Sequence, residues 1–470
     1  MKDIQSNKIL QAFAISPLDG RYYEQISFLS EFFSEFALIK SRIHVEILWF
    51  HFLLGKDSPI GIKVDQNTHK RLDDYFESFS IDEFLKFKDF ELKLRHDVEP
   101  VEYLLKEIIN EEYREFLHFG LTSEDVTNIA YAINFKNYRE RFLIPNIEEL
   151  IKELKKIAIT SKDIVILGHT HGQSATPSTF GKELSYFIER INKSLKIIKS
   201  LPIEAKLNGA VGNFAALKIA YPELNWMDQS AKFIESIGLK NSKVTKQIEP
   251  HDWICRICSE LSLLSSIIID LCKDIWLYGL INYLKQKPKE GEIGSSTMPH
   301  KINPIDFENC WGNMEVVIAI SQFFVRKLPV TFLQRDLSDS TVLRNLGLVF
   351  GHFELGLSSL KNGLSKIVFN RQYLEKELES HPEVLAEAVQ TILRKNRIKD
   401  GYELLKEATR GKEIDYETLY KIIESSNIDL NDKKRISGLK VKDYIGESID
   451  ITEKICEEIE ENEKIKRKKM

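Results

Sequence analysis

From Asp252 to Tyr278 the chain contains neither glycine nor proline, and its apolar side chains recur at intervals of three and four. Ile254, Ile257, Cys258, Leu261, Leu264, Ile268, Leu271, Cys272 and Ile275 form one stripe of a single helix. At 1.5 Å of rise per residue such a helix is about 40 Å long. One small neighbour cannot cover so broad an apolar face. The stretch therefore predicts a bundle of long helices with faces left over for other subunits. Val126 to Ile144, Phe180 to Ile198 and Asn313 to Lys327 read as further members. Prolines are sparse: none lies between Pro100 and Pro145, between Pro329 and Pro382, or after Pro382. The closely spaced turn signals of packed sheets are missing, so the expected class is all-α.

A chain of 470 residues has room for several domains around that bundle. Residues 1–120 read as an N-terminal domain of shorter helices, 121–367 as the long-helix domain, and 368–470 as a C-terminal helical domain with a solvated basic tail. The net charge of −5 gives no electrostatic footprint for nucleic acid, so an anionic small molecule would need a local cluster of cations. Leu261 to Ile269, the most apolar stretch, is stopped by Asp270, far short of the roughly 20 residues of a membrane span. The apolar run Ile9-Leu-Gln-Ala-Phe-Ala14 is shorter than the roughly 7–15 residues of a secretory core, which predicts a cytoplasmic protein. Five cysteines suggest no disulfide framework. Cys255 and Cys258 lack the further ligands of a zinc site and read as two small apolar residues on one helix face.

Between the helices lie polar islands of unusual content. They are Ser16-Pro-Leu-Asp-Gly-Arg-Tyr22, Arg95-His-Asp-Val98, Phe116-Leu-His-Phe-Gly-Leu-Thr-Ser-Glu-Asp125, Thr170-His-Gly-Gln-Ser-Ala-Thr-Pro177 and Gln247-Ile-Glu-Pro-His251. Two longer ones follow, Gly291 to Pro304 and Gln334 to Arg344. Taken singly, several have ordinary explanations. Thr122-Ser-Glu-Asp125 is a good helix N-cap with acids in the first turn, and His169-x-His171 lacks a third metal ligand. The Gly291 to Pro304 segment is harder to dismiss. It joins two long helices with paired serines, a histidine, a lysine and glycine hinges, the composition of a lid over a substrate.

Gly294-Ser-Ser-Thr-Met-Pro-His-Lys-Ile-Asn303 resembles the signature loop of the fumarase/aspartase superfamily. The remaining islands, in order along nearly the whole chain, narrow the resemblance to the longer bacterial branch of the adenylosuccinate lyase family. Lys93-Leu-Arg95 and Lys287-Pro-Lys-Glu290 depart from that branch, which leaves the contacts of Arg95 open. The resemblance implies an L-aspartase/fumarase-like helical fold assembled as a homotetramer with shared active sites. It also implies β-elimination of fumarate from succinylated purine nucleotides, with no metal and no organic cofactor.

By the same resemblance His171 is the general acid and Ser295 the general base. A histidine suits the first task because its proton affinity lies near neutral pH. A serine suits the second only where a closed loop excludes water and donors stabilise its alkoxide. Lys301 and Asn303 match donors to the charge that builds on the neighbouring carboxylate. Glu308 and His118 match supporting positions. Arg21, Tyr22, Arg335, Ser340, Thr341 and Arg344 match nucleotide-contacting positions, and arginine reads phosphate through its planar fork. Arg95, His96, Asp97, Thr122, Ser123, Gln247, Ser296 and Asn309 complete the implied pocket. A sister lyase of the superfamily would share the Ser295 loop but have no use for the arginine set. A non-catalytic relative of the same fold would have no use for His171 and Ser295.

Overall fold

A computed structural model describes residues 9–288, 298, 301–399, 401, 403, 405–406 and 414–467, the side chains of 460–467 excepted. Helices dominate. Those that position the site are α1 (Glu35–Leu54), α2 (Ile81–Leu94), α3 (Pro100–Lys106), α4 (Ser123–Tyr138), α5 (Ile144–Thr160), α6 (Phe180–Ser200), α7 (Asp252–Leu280), α8 (Ile305–Lys327) and α9 (Leu346–Leu364). Strands occur among the described residues only as two-stranded pairs. One pair, β1 (Val165–Thr170) and β2 (Gln173–Thr179), is an antiparallel hairpin that the sequence reading did not anticipate. The expected all-α class holds, because these pairs are connectors between helices.

The 29 residues of α7 span about 43 Å, and every member of the predicted stripe, from Ile254 to Ile275, is buried. Leu263, Leu277 and Leu280, off that stripe, remain exposed in the single chain. All five cysteines are free and buried. Burial pushes the Cys255 thiol up to about 12, so it packs as a small apolar group. Among the described residues no helix is long and apolar enough to cross a membrane.

The helix expected to stop before Pro145 does not stop. After α4 the chain makes a π-helical turn, Arg139–Leu143, and continues directly as α5. A proline inside a helix removes one backbone bond and crowds the carbonyl four residues back. The wider π turn just ahead of Pro145 absorbs that conflict.

The chain divides into two compact units that interleave in sequence. The first holds Met1–Ile147, Ser194–Ser266 and Trp311–Ser358; the second holds Glu148–Lys193, Ile267–Cys310 and Ser359–Met470. Each boundary falls inside a long helix, in turn α5, α6, α7, α8 and α9. In the first unit Trp49, Phe135, Tyr138, Phe233 and Phe350 are essentially inaccessible. The Tyr138 hydroxyl and the Asn146 amide each donate to the Glu354 carboxylate at 2.6 Å, which satisfies that buried acid. In the second unit Phe180 packs edge-on against Phe369 with centroids 4.8 Å apart, and Phe307 is fully buried.

Candidate active site

The expected nucleotide-contacting residues all fall in the first unit. Arg21 and Tyr22 sit at the end of a tight turn in which the Asp19 and Gly20 amides donate to the Ser16 carbonyl. The Arg21 guanidinium lies over the Tyr22 ring, 5.7 Å from its centroid. Arg95 closes α2 as a left-handed cap with φ 52° and is exposed. The His96 Nδ1 accepts from the Val98 and Glu99 amides at 3.2 and 3.0 Å, so the ring proton resides on Nε2. These two contacts tie the imidazole to the start of α3.

Asp97 is where two guanidinium groups converge. Arg42, buried on α1, donates to the Asp97 carbonyl at 2.6 Å and to its carboxylate at 3.1 Å; Arg344 donates to the same carboxylate oxygen at 3.0 Å. Burial alone would raise this carboxyl, but the two arginines outweigh it and hold Asp97 below the ordinary carboxylate range. Arg344 also donates to the Ser340 hydroxyl at 2.6 Å. Asp97, Ser340 and Arg344 are thus brought together in one cluster. Thr341 is exposed beside them in sequence, and Gln247 is half-buried with its amide on the Ala210 carbonyl at 3.1 Å.

Thr122 caps α4 in a reciprocal capping box with Asp125, whose carboxylate takes the Thr122 amide at 2.9 Å. The same fully buried carboxylate pairs with the equally buried Lys206 at 2.9 Å and accepts the Asn208 amide at 2.9 Å. Thr122 and Ser123 are therefore held at a turn fixed from two sides. The next residue, Glu124, is buried and takes the Arg335 guanidinium at 3.0 Å. Arg335 lies 3.6 Å from Asp339, which lies 3.7 Å from His251. Burial would lower the His251 imidazole, but Asp339, Glu249 and Glu124 outweigh it and push it up to about 9. His118, in the loop before Thr122, pairs with Glu46 of α1.

The second unit carries the other half of the expected set. His171 and Gly172 are the two residues of the β1–β2 turn, with φ of 52° and 74°, and Thr170 pairs with Gln173 across it. Two successive positive φ angles in a two-residue loop match the twist of a hairpin, and glycine at the second position takes that conformation without cost. His171 is thereby presented at an exposed hairpin tip. Ser295 and Ser296 lie outside the described residues. Lys301 is exposed and Asn303 half-buried just before α8. On the first turns of α8, Glu308 accepts the Trp276 indole N–H at 3.1 Å and the Asn309 amide donates to the Ser359 hydroxyl at 3.1 Å.

Sequence reasoning passed over Arg42, Glu46, Asp125, Lys206 and His251 as members of the site. One signal was available. Arg42 and Glu46 lie one turn apart on a helix that is otherwise apolar on most sides, and buried charges in such a helix need partners. No such signal marked Lys206, whose partner Asp125 is 81 residues away in a different element.

A family profile described as "Lyase" matches residues 20–319, and one described as "Adenylosuccinate lyase C-terminal" matches residues 332–445. The adenylosuccinate lyase of Escherichia coli strain K12 is 41% identical over 451 residues, which cover 94% of this chain and 98% of that one. The enzyme of the same name from Dictyostelium discoideum is 42% identical with the same coverage. Among solved structures, a fumarate lyase from Mesorhizobium sp. BNC1 superposes with a TM-score of 0.74 at 15% identity, covering 92% of this chain and 97% of its own. The 3-carboxy-cis,cis-muconate lactonizing enzyme from Pseudomonas putida gives a TM-score of 0.71 at 17% identity, covering 96% and 99%. The two structures share the helical fold, and the sequence relatives fix the rest: this chain belongs to the adenylosuccinate lyase family.

Proposed function

We propose that this chain eliminates fumarate from adenylosuccinate to give AMP, and from succinylaminoimidazole carboxamide ribotide to give aminoimidazole carboxamide ribotide, in purine biosynthesis. The observation that carries this reading is similarity to adenylosuccinate lyases along nearly the full length of both chains. In the proposed chemistry Ser295 removes a proton from the succinyl Cβ, the electrons of that C–H bond form the fumarate double bond, and the C–N bond breaks. His171 protonates the departing purine nitrogen. Lys301 and Asn303 offer donors to the carboxylate on which negative charge builds.

Arg21, Tyr22, Arg335, Ser340, Thr341 and Arg344 are assigned to the nucleotide, with Thr122, Ser123 and Gln247 beside them. The convergence of Arg344, Ser340 and Asp97 supports that part of the reading. Glu308 and Asn309 are assigned a supporting role near the reacting groups.

The proposed assembly is a homotetramer whose sites take residues from several chains. Its support is the apolar surface left on long helices of the single chain: Tyr186, Leu263, Leu277, Leu280 and Phe323 are each 40–63% exposed. The free, buried cysteines fit a reducing compartment, and the cytoplasm is the proposed location.

The test is a spectrophotometric assay with adenylosuccinate on the purified chain and on His171→Ala and Ser295→Ala. Wild type is expected to release fumarate and AMP in equal amounts. Each variant is expected to lose turnover by at least about a hundredfold while still binding AMP, the usual scale for an acid or base. An inactive wild type would overturn the reaction, and near-normal turnover in either variant would overturn its role.

A further inference from the structure

Glu46 sits in the middle of α1 within the apolar run Val45-Glu-Ile-Leu-Trp49, and its side chain has no exposed surface. A carboxylate taken so far from water destabilises the fold unless a partner compensates it. Both of its oxygens have one. The His118 amide donates to Oε2 at 3.0 Å and the His118 Nδ1 lies 2.6 Å from Oε1. One turn along the same helix, the Trp49 indole donates to the Phe119 carbonyl at 3.0 Å. Helix α1 therefore grips two successive residues of the loop that leads to Thr122.

The loop has little freedom to move away. His118 holds a left-handed φ of 54°, and Gly120 one of 71°. A Cβ on Gly120 would come within 2.2 Å of the Leu217 side chain, so the backbone there is closely packed. The pair is also asymmetric. Glu46 is sealed, whereas the His118 side chain keeps 20% of its surface open. The open part of the ring can be reached by a further partner.

We propose that Glu46 is a positioning residue that keeps His118 as an imidazolium, fixes its ring through Nδ1, and leaves the Nε2–H to an anionic group of the substrate. This rests on the function proposed above only for the identity of that substrate. Among the described residues the His118 side chain makes no other hydrogen bond than the one to Glu46. Three carboxylates act on it, Glu46 from α1, Glu102 from α3 and Asp125 from α4. Lys106 pairs with Glu102 at 3.2 Å and Lys206 with Asp125 at 2.9 Å, which leaves Glu46 as the one bonded to the ring. Burial alone would favour the neutral ring, but these three outweigh it, Glu46 most of all, and push His118 up to about 9. Without the Glu46 charge the largest influence opposing burial is gone, and burial favours the neutral ring. A neutral imidazole held by the same loop is a much poorer partner for phosphate or carboxylate.

The experiment is an NMR titration of imidazole-labelled full-length enzyme, with the His118 signal assigned by its loss in His118→Gln, alongside kinetics of Glu46→Gln from pH 5.5 to 9. Wild-type His118 is expected to stay protonated through pH 8. In Glu46→Gln it is expected to titrate below its ordinary 6.5. The KM for adenylosuccinate should rise about tenfold at pH 8, the scale of one charge-assisted hydrogen bond. It should recover toward wild type at pH 5.5, with the change in KM rather than kcat.

Competition by AMP and by fumarate identifies the anion. Weakened AMP inhibition alone places the phosphate on His118, weakened fumarate inhibition alone places a carboxylate there, and either supports the proposal. A wild-type His118 that is neutral at pH 7 overturns it, and this readout stands even where the variant fails to fold. A Glu46→Gln KM that tracks wild type at every pH also overturns it. An enzyme with no lyase activity but a high His118 pKa would instead overturn the function and leave the charge state of His118 standing.

Discussion

An imidazolium persists away from water only where carboxylates stabilise it, and two histidines of this chain are so placed. His118 faces Glu46, and His251 faces Asp339, Glu249 and Glu124; both are pushed up to about 9 from an ordinary 6.5. The sign of the consequence follows from linkage. A group whose folded value is raised contributes stability that is fully present below its unfolded value and lost as pH rises through the folded one. The share of urea resistance that these two rings contribute should therefore be constant below about pH 6.5 and fall between roughly pH 6.5 and 9 as both lose their protons in the native state. Equilibrium unfolding across that window measures it. In His118→Gln and in His251→Asn, which suits the left-handed φ of 60° at that position, the fall should be shallower than in wild type. A slope unchanged in both variants would mean that neither ring carries the charge assigned to it.

At the scale of elements, the β1–β2 hairpin places His171 at the tip of a two-residue turn that depends on glycine at its second position. Gly172→Ala meets no neighbour within 4 Å, so its effect is confined to the backbone. An alanine forced to positive φ costs about 1 kcal/mol. The turn should relax, and turnover should fall several-fold with AMP affinity unchanged. Gly172→Asn, which tolerates the left-handed region, should recover most of it. Equal turnover in the alanine variant and wild type would show that the hairpin geometry does not set His171.

The hairpin also marks where sequence reading stops. The stripe from Ile254 to Ile275 was legible because helical period over so many residues has one physical meaning. The islands around Thr122, His171 and Arg344 were legible through their resemblance to a family. The strand pair was not, because Val165 to Thr179 is too short and too polar to announce itself. The π turn before Pro145 was not, since a lone proline ordinarily reads as a helix end. The partners of buried charges, Glu46 for His118 and Lys206 for Asp125, come from distant segments that only the folded chain brings together.

For the whole molecule, the single chain leaves Tyr186 and Ile197 on α6, Leu263, Leu277 and Leu280 on α7, and Phe323 on α8 uncovered. Burying them between copies of the chain is the natural outcome, and the proposed tetramer does so. The proposal has His171, on the hairpin, and Ser295, before α8, act in one site while belonging to different chains. Two inactive proteins should then rescue each other. Equal amounts of His171→Ala and Ser295→Ala, exchanged through reversible dissociation, place both native residues in roughly one site in four by random assembly. Independent sites would return about a quarter of wild-type adenylosuccinate cleavage. That assay is the most direct measurement of how the site is built. Activity near that fraction, absent from either protein alone, is the expected result. Silence in the mixture, with subunit exchange demonstrated by labelled chains, would contradict the shared site and place His171 and Ser295 on one chain.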